Sequence, residues 1–540
     1  MPILSSSPFV SRTLAFAVLG ALATTSCAAD VPNQEPEPVS SPLTAAAKAG
    51  WRKQVIYLVM PDRFRNGDSS NDDAGAPGCL DPRDPQRFHG GDLEGLRQNL
   101  GYVRELGATA IWVTPLNRQI ARLPNGHCGY HGYWSDLVDP DDAALEPKLG
   151  TSDELKRLAG EMHGSGLRLV LDMVVNHTGD TSTLARSRPA FFHEPRSCRG
   201  LGDPTVFCPL DGHPDFAQEK PEVAKYLSES AARWTKTYAI DGIRMDTAKH
   251  VPASYFGTSF LPAVRAQNPR LFTVAEVFEE GSVVPLARYV DAGFDSAFHF
   301  PLRRALVDGI ARGGSIDAVA NAVASGIGRL GMDRALDLVL MMDNHDVLRF
   351  ANEPGFGVPE ADIRRRQMLA LTLLFTLPGI PQLYYGDELG LYGGADPDNR
   401  RDMPAWATRA EERATRHPGE AVDGAATIFA HVKTLSGLRR EIPALADGAY
   451  RELWRQNGPQ NPNVLAFARG VGADARIVVV NNGAGASGMV RIPIPAAVLP
   501  DGTALIDELG NGAPPSVGIE AARLSIDLPP RTAAIYRRRP

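Results

Sequence analysis

Three carboxylates in this sequence could do chemistry, Asp246, Glu276 and Asp346, because each follows a short apolar run and lies among other polar side chains. A carboxylate kept ionised beside a carboxyl kept protonated is equipped for nucleophilic attack with proton donation. Arg244 stands two residues before Asp246, so on a strand both side chains face the same way. A guanidinium there is expected to hold Asp246 below the ordinary carboxylate range. Glu276 follows Phe272-Thr273-Val274-Ala275, an apolar approach expected to raise its carboxyl and leave it a proton to give. The polar residues fall in four segments: 172–177 (DMVVNH), 242–250 (GIRMDTAKH), 275–278 (AEVF) and 342–346 (MDNHD). An isolated Asp or Glu is most often a solvated or salt-bridged surface group, a reading that three acids at strand ends do not share.

The elements that must position these segments alternate in type. Runs at 54–60 (QVIYLVM), 109–115 (TAIWVTP), 167–175 (LRLVLDMVV), 242–246, 271–276, 294–300, 336–343 and 379–385 read as strands. Amphipathic stretches at 153–164, 221–237 and 363–376 read as helices between them. Eight such units close a (β/α)8 TIM barrel, whose carboxyl-terminal face carries the active site, and the polar segments all end strands. The interval between the third and fourth strands is too long for one βα unit. Its excess is expected to be a small inserted domain on the catalytic face, residues 178–219. The barrel then occupies 51–177 and 220–444. Short strands such as 475–480 and 522–528, with Gly and Pro turns between them, indicate a C-terminal β-sandwich over 445–540.

The chain has 540 residues with 43% hydrophobic and 22% charged, a globular composition too long for one ordinary domain. Its net charge of −7 is dispersed along the chain, which argues against a nucleic-acid partner. Residues 1–27 read as an export signal, with Arg12 before an apolar run and small residues around Cys27. Two outcomes stay open there: a lipid on Cys27, as in a bacterial lipoprotein, or simple cleavage near Ala28 or Ala29. The Pro- and Glu-containing linker over 28–50 favours the lipid, and a membrane enters only through it. The expected location is periplasmic or outer-membrane for the lipoprotein, or secreted otherwise. Cys79, Cys128, Cys198 and Cys208 in an exported chain suggest two disulfides. Cys198–Cys208 with Cys79–Cys128 is the favoured pairing, because the first closes a short local loop.

The four segments, in this order and on these strands, resemble the α-amylase family of glycoside hydrolases, over roughly residues 51–440. The resemblance implies retaining hydrolysis of α-1,4-glucosidic bonds in starch-type glucans or maltooligosaccharides. Asp246 would be the nucleophile, Glu276 the acid and then base, and Asp346 the stabiliser of the transition state. His177, His345 and His131 would contact the reacting sugar, with the Tyr133 ring as its stacking floor, while Tyr130 and Trp134 read as core packing. Arg244 would bind beside them, and Lys249 and His250 would line the leaving-group side. Asp396 and Arg400 are candidates in a substrate loop, for which a solvated charged loop is the equal alternative. Calcium is implied at two places. One is the loop of Asn66, Asp68, Asn71 and Asp72 with Gly90 and Asp92, against which stands a metal-free Asx turn. The other joins barrel to inserted domain through Asn176, Asp215 and the backbone of His250. Ala217 departs from the family pattern near that second place. With the first strand near residue 54 and one terminal sandwich, a simple α-amylase architecture is expected. Two alternatives remain: a transglycosylase using another sugar as acceptor, and a non-catalytic glucan-binding lipoprotein, against which the three acids stand.

Overall fold

The computed structural model describes residues 43–75, 77–138, 145–416, 428–456 and 463–540; Cys27, the expected export signal and residues 28–42 of the expected linker lie outside them. Eight parallel strands form the barrel: β1 (Ile56–Val59), β2 (Ala110–Val113), β3 (Arg168–Met173), β4 (Gly242–Met245), β5 (Phe272–Ala275), β6 (Ser296–Ala297), β7 (Val339–Leu340) and β8 (Ile380–Tyr384). Their spatial order is β6-β5-β4-β3-β2-β1-β8-β7, and a parallel bridge between Phe298 and Val339 joins the two ends into a closed ring. These strands are buried at every position, without alternation, because both of their faces are covered, one by helices and one by the barrel interior.

Two strands are shorter than the sequence suggests. The run at 294–300 gives only Ser296–Ala297, because Pro301 starts the helix Phe300–Leu306 and the His299 ring accepts its Leu302 N–H at 3.2 Å. The run at 336–343 gives only Val339–Leu340, since Leu336 and Asp337 finish the helix Met332–Asp337. The linker also ends earlier than residue 50. Ala45–Arg52 is a helix, because the run is Ala-rich and the Thr44 hydroxyl accepts the Ala47 N–H at 3.3 Å. Its Trp51 stacks on Phe272 at 4.5 Å beneath the barrel.

Helices Ser152–Gly164, Pro221–Thr237 and Glu360–Thr376 lie where periodicity places them. The first opens with a capping box between Thr151 and Glu154. Between β3 and Pro221, the excursion is built of short helical turns, including Thr183–Ser187 and Pro204–Phe207. It is closed by the Cys198–Cys208 disulfide, and Cys79–Cys128 joins the loops after β1 and β2. Both pairings are the ones favoured from the sequence.

The C-terminal region adds eight antiparallel strands: β9 (Tyr450–Gln456), β10 (Val464–Arg469), β11 (Arg476–Asn481), β12 (Val490–Pro493), β13 (Ala504–Asp507), β14 (Ser516–Glu520), β15 (Arg523–Ile526) and β16 (Thr532–Arg538). Alternate side chains divide between two cores. Leu465, Phe467, Val478, Val480 and Ile535 pack with the barrel, while Ala466, Ile477, Val479 and Tyr536 pack with Val490, Ile492, Ile519 and Leu524. Among the described residues, no helix is long and apolar enough to cross a membrane.

Candidate active site

The polar segments at the ends of β3, β4, β5 and β7 converge on one guanidinium. Arg244, on β4, is fully buried, and its Nη1 donates to Asp246 Oδ1 at 2.6 Å and to both oxygens of Asp172 at 3.0 and 3.1 Å. Its Nη2 donates to Glu276 Oε1 and stands 3.9 Å from Asp346 Oδ2. One positive charge therefore serves four carboxylates, which decides their protonation.

Glu276 is pushed up to about 8, by burial first and then by the neighbouring charges of Asp246 and Asp346, with Arg244 pulling the other way. This is the direction the apolar approach implied. Asp246 departs from expectation: it is raised, not lowered. Burial outweighs the attraction of Arg244, whose charge is divided among several acids, and Asp346 adds repulsion. Within such a pair the proton sits on Glu276, and Asp246 keeps the anion against Nη1. Asp346 goes down: burial alone would raise it, but His345, Arg400 and Arg244 together outweigh that. Asp172 is pushed up to about 7, chiefly by burial.

The other expected residues distribute around this centre. His345 lies beside Asp346, with its Nε2 3.4 Å from Asp346 Oδ2. Tyr133 stacks on the His345 ring at 5.1 Å and donates its hydroxyl to Asp172 Oδ2 at 2.7 Å. His131 packs behind Tyr133, accepting the Tyr133 N–H at 3.0 Å. Burial lowers both His177 and His345 to about 3, so each is a neutral imidazole suited to hydrogen-bonding a hydroxyl. Tyr130 is buried beneath the Arg63 guanidinium, in keeping with a packing role. Lys249 Nζ donates to the Phe278 carbonyl at 3.1 Å and pairs with Glu279, just beyond Glu276. His250 turns its Nδ1 to the Thr205 carbonyl of the excursion at 2.9 Å. Arg400 is buried, donating to the His345 carbonyl at 2.9 Å and standing 3.4 Å from Asp346. Asp396 pairs with Arg400 at 3.0 Å and faces solvent.

Sequence reasoning missed three contributors. Asp172 was part of a motif without a role; it collects Arg244, Tyr133 and Trp112 Nε1, the last at 3.0 Å. An acid inside an otherwise apolar strand was the available signal. Thr247 donates its N–H to Glu276 Oε2 at 2.9 Å from a left-handed backbone, φ 46°, that a β-branched residue rarely adopts. Nothing in the sequence indicates that turn. Asn399 donates to the carbonyls of His345 and Val347 at 2.8 and 2.9 Å, holding the Asp346 loop from a distant segment.

The two loops considered for metal are oxygen-rich. Asp92 accepts N–H bonds from Gly95, Asp68 and Gly67 at 2.6, 2.8 and 3.0 Å, and Asn66 Nδ2 donates to Asp72 Oδ1 at 2.7 Å. Asn71 Oδ1 is buried without a donor, and a Cβ on Gly90 would stand 2.9 Å from both Asn66 and Asp72. At the second place, Asn176 can turn its amide nitrogen to Asp215 Oδ1 and the His250 carbonyl, at 3.3 and 2.9 Å. With the oxygen turned there instead, three oxygens converge, whereas the amide nitrogen satisfies both acceptors by itself. Among the described residues, no three His, Cys, Asp or Glu side chains cluster as a metal site.

The family model for the α-amylase catalytic domain matches residues 58–190 and 206–448, from within β1 through β8, and includes the four carboxylates around Arg244. The chain belongs to the α-amylase family. As a member, it is a glycoside hydrolase or transglycosylase of α-glucans. It is 30% identical over 467 residues to a cyclomaltodextrinase from Bacillus sp, covering 82% of this chain and 75% of that protein. It is also 30% identical over 502 residues to a beta/alpha-amylase from Paenibacillus polymyxa, covering 90% of this chain but only 38% of that longer protein. Among solved structures, the α-amylase from Geobacillus thermoleovorans in complex with acarbose superimposes with a TM-score of 0.76 at 30% identity, covering 91% of this chain and 99% of that one. An Anoxybacillus α-amylase matches with a TM-score of 0.77 at 31% identity, covering 91% and 98% respectively.

Proposed function

We propose that this α-amylase-family enzyme hydrolyses α-1,4-glucosidic bonds of starch-type glucans or maltooligosaccharides with retention. The observation that carries the reading is the placing of Asp246 and Glu276 on the two terminal nitrogens of Arg244. Carboxyls held side by side in this way suit the spacing of about 5 Å used by retaining enzymes, rather than the wider gap that admits a water. Glu276 gives its proton to the glucosidic oxygen while the Asp246 carboxylate attacks the anomeric carbon. The leaving chain departs and a glucosyl ester forms on Asp246. Glu276, now a carboxylate, takes a proton from water as that water attacks the same carbon and frees Asp246. Asp346, kept ionised by Arg400 and Arg244, binds sugar hydroxyls and faces the positive charge that develops on the ring.

The test is Asp246→Asn, which should abolish starch breakdown while leaving the thermal unfolding curve in place; unchanged activity would sink the mechanism. A second reading, transfer to a sugar acceptor, draws on Phe278, which is 42% exposed two residues after Glu276 and could stack an acceptor ring. Chromatography of products from maltoheptaose, cyclodextrin and pullulan separates the two: chains longer than the substrate mark transfer.

Calcium belongs to the same reading. The orphan Asn71 oxygen and the close approach of Gly90 suit a cation in the Asn66–Asp72 loop, with Asp68 and Asp92 near it, and Asn176, Asp215 and the His250 carbonyl offer a second position. Such ions would brace loops at the catalytic face. Export, with a lipid on Cys27 as the favoured anchor, completes the proposal; a shift of the protein to the membrane fraction that Cys27→Ser abolishes is the result it requires.

A further inference from the structure

Beneath the loop that carries Asp346 lies a second pair of acids that the reaction does not use. Asp343 lies just after β7 and Asp387 follows β8, at the turn made by Gly386 with φ 93°. Both are buried, with their carboxyls set against each other. Asp343 Oδ2 accepts the Phe350 N–H at 2.6 Å, which ties together the two ends of the loop holding His345 and Asp346. Asp387 Oδ2 accepts the Tyr384 N–H at 3.0 Å. Asp343 Oδ1 is buried with no hydrogen-bond donor. Two touching carboxylates cannot both be ionised there, and an acceptor facing only another acceptor needs a proton between them.

We propose that Asp343 and Asp387 share one proton, and that this carboxyl–carboxylate bond is the clamp that positions the Asp346 loop against the end of β8. The donor is Asp387 and the acceptor Asp343 Oδ1. The charged groups facing the pair are consistent with one retained negative charge. Arg349 Nη1 stands 3.6 Å from Asp387 Oδ1, and its other bonds go to the carbonyls of Tyr385 and Asn399 at 2.7 and 3.1 Å. Arg303, from the helix after β6, adds a more distant attraction, while Glu388 repels. Burial and mutual repulsion push Asp387 well above the ordinary carboxylate range. Asn399, whose carbonyl Arg349 holds, in turn supports His345, so the pair underlies the loop from two sides. Asp343 and Asp387 are positioning residues and touch no substrate.

Asparagine at 387 preserves both bonds: its oxygen accepts from Tyr384 and its nitrogen donates to Asp343. Asp387→Asn should therefore keep kcat/KM within about threefold of the parent, whereas Asp387→Ala should lose about 10–100-fold through misplacement of Asp346. A readout independent of the reaction is the midpoint of thermal unfolding against pH. A raised folded pKa contributes stability that is present at low pH and lost as pH rises toward that value. Asp387→Asn carries no such proton, so its midpoint should gain on the parent steadily between about pH 5 and 9. Asp343→Asn reverses donor and acceptor, lets Asp387 ionise normally, and should show the same gain. A constant midpoint difference across that range, or Asn at 387 as damaging as Ala, overturns the proposal. Because the unfolding experiment needs no substrate, its failure is separable from failure of the proposed reaction.

Discussion

At the scale of single residues, the site works by sharing one cation among acids that burial would otherwise neutralise. The consequence is a pH limit. Glu276, raised to about 8, must be protonated to release the leaving oxygen, so kcat/KM should fall as pH passes about 8. Glu276→Gln should remove that limb and lower the rate by at least about 100-fold, measured as initial rates on maltoheptaose across pH. Thr247 makes a different kind of contribution, through its backbone. Thr247→Gly keeps the N–H and accepts φ 46° without strain, so activity should stay within a few-fold. Thr247→Pro removes the N–H and forbids that φ, so kcat should drop sharply. Equal effects of the two changes would deny the N–H a role.

Among elements, the strand ends present the acids and the loops decide what lies between them. The excursion is the least self-sufficient of these, with few buried apolar side chains among its short turns and the Cys198–Cys208 link across a separation of 10 residues. Replacing both cysteines with Ser should cost about 2–3 kcal/mol of local stability. Limited proteolysis reads this: cleavage within 178–219 should quicken while the barrel fragment persists. The β4 turn was legible only in part. Arg244 and Asp246 share a face by strand alternation, but the donation of Thr247 N–H to Glu276 depends on a left-handed residue that no local pattern announces.

For the molecule as a whole, stability comes from one core that fills the barrel and its contact with the C-terminal sheet, and a second inside the C-terminal domain. Trp51 is only 2% exposed, stacked on Phe272 and under the Arg168 guanidinium at 4.4 Å. Trp51→Ala should cost about 3–5 kcal/mol by calorimetry yet leave kcat unchanged, because it lies away from the catalytic face. At that face, calcium bound only by the folded state should raise the unfolding midpoint. Free calcium at about 100 times its dissociation constant is worth about 2.7 kcal/mol, and EDTA should remove the gain. An Asp92→Ala variant indifferent to calcium would locate the ion in the first loop; one that responds like the parent would place it elsewhere.

The barrel, the terminal β domain and both disulfides were legible in the sequence, and the three proposed catalytic acids were singled out there by their place in the motifs. Each of these depends on local pattern: apolar runs of strand length, an even set of four cysteines after residue 27, and polar motifs at strand ends. It could not determine how charge is distributed among the acids. Asp246 was expected to be lowered by Arg244, and only the assembled site reveals that the same guanidinium also serves Asp172 and Glu276, so burial prevails. The pairing of Asp343 with Asp387, and the support of His345 by Asn399, likewise join residues more than forty positions apart. Local pattern identifies the acids; their protonation depends on solvent exclusion and on charges brought close by closing the barrel, which only the tertiary structure decides.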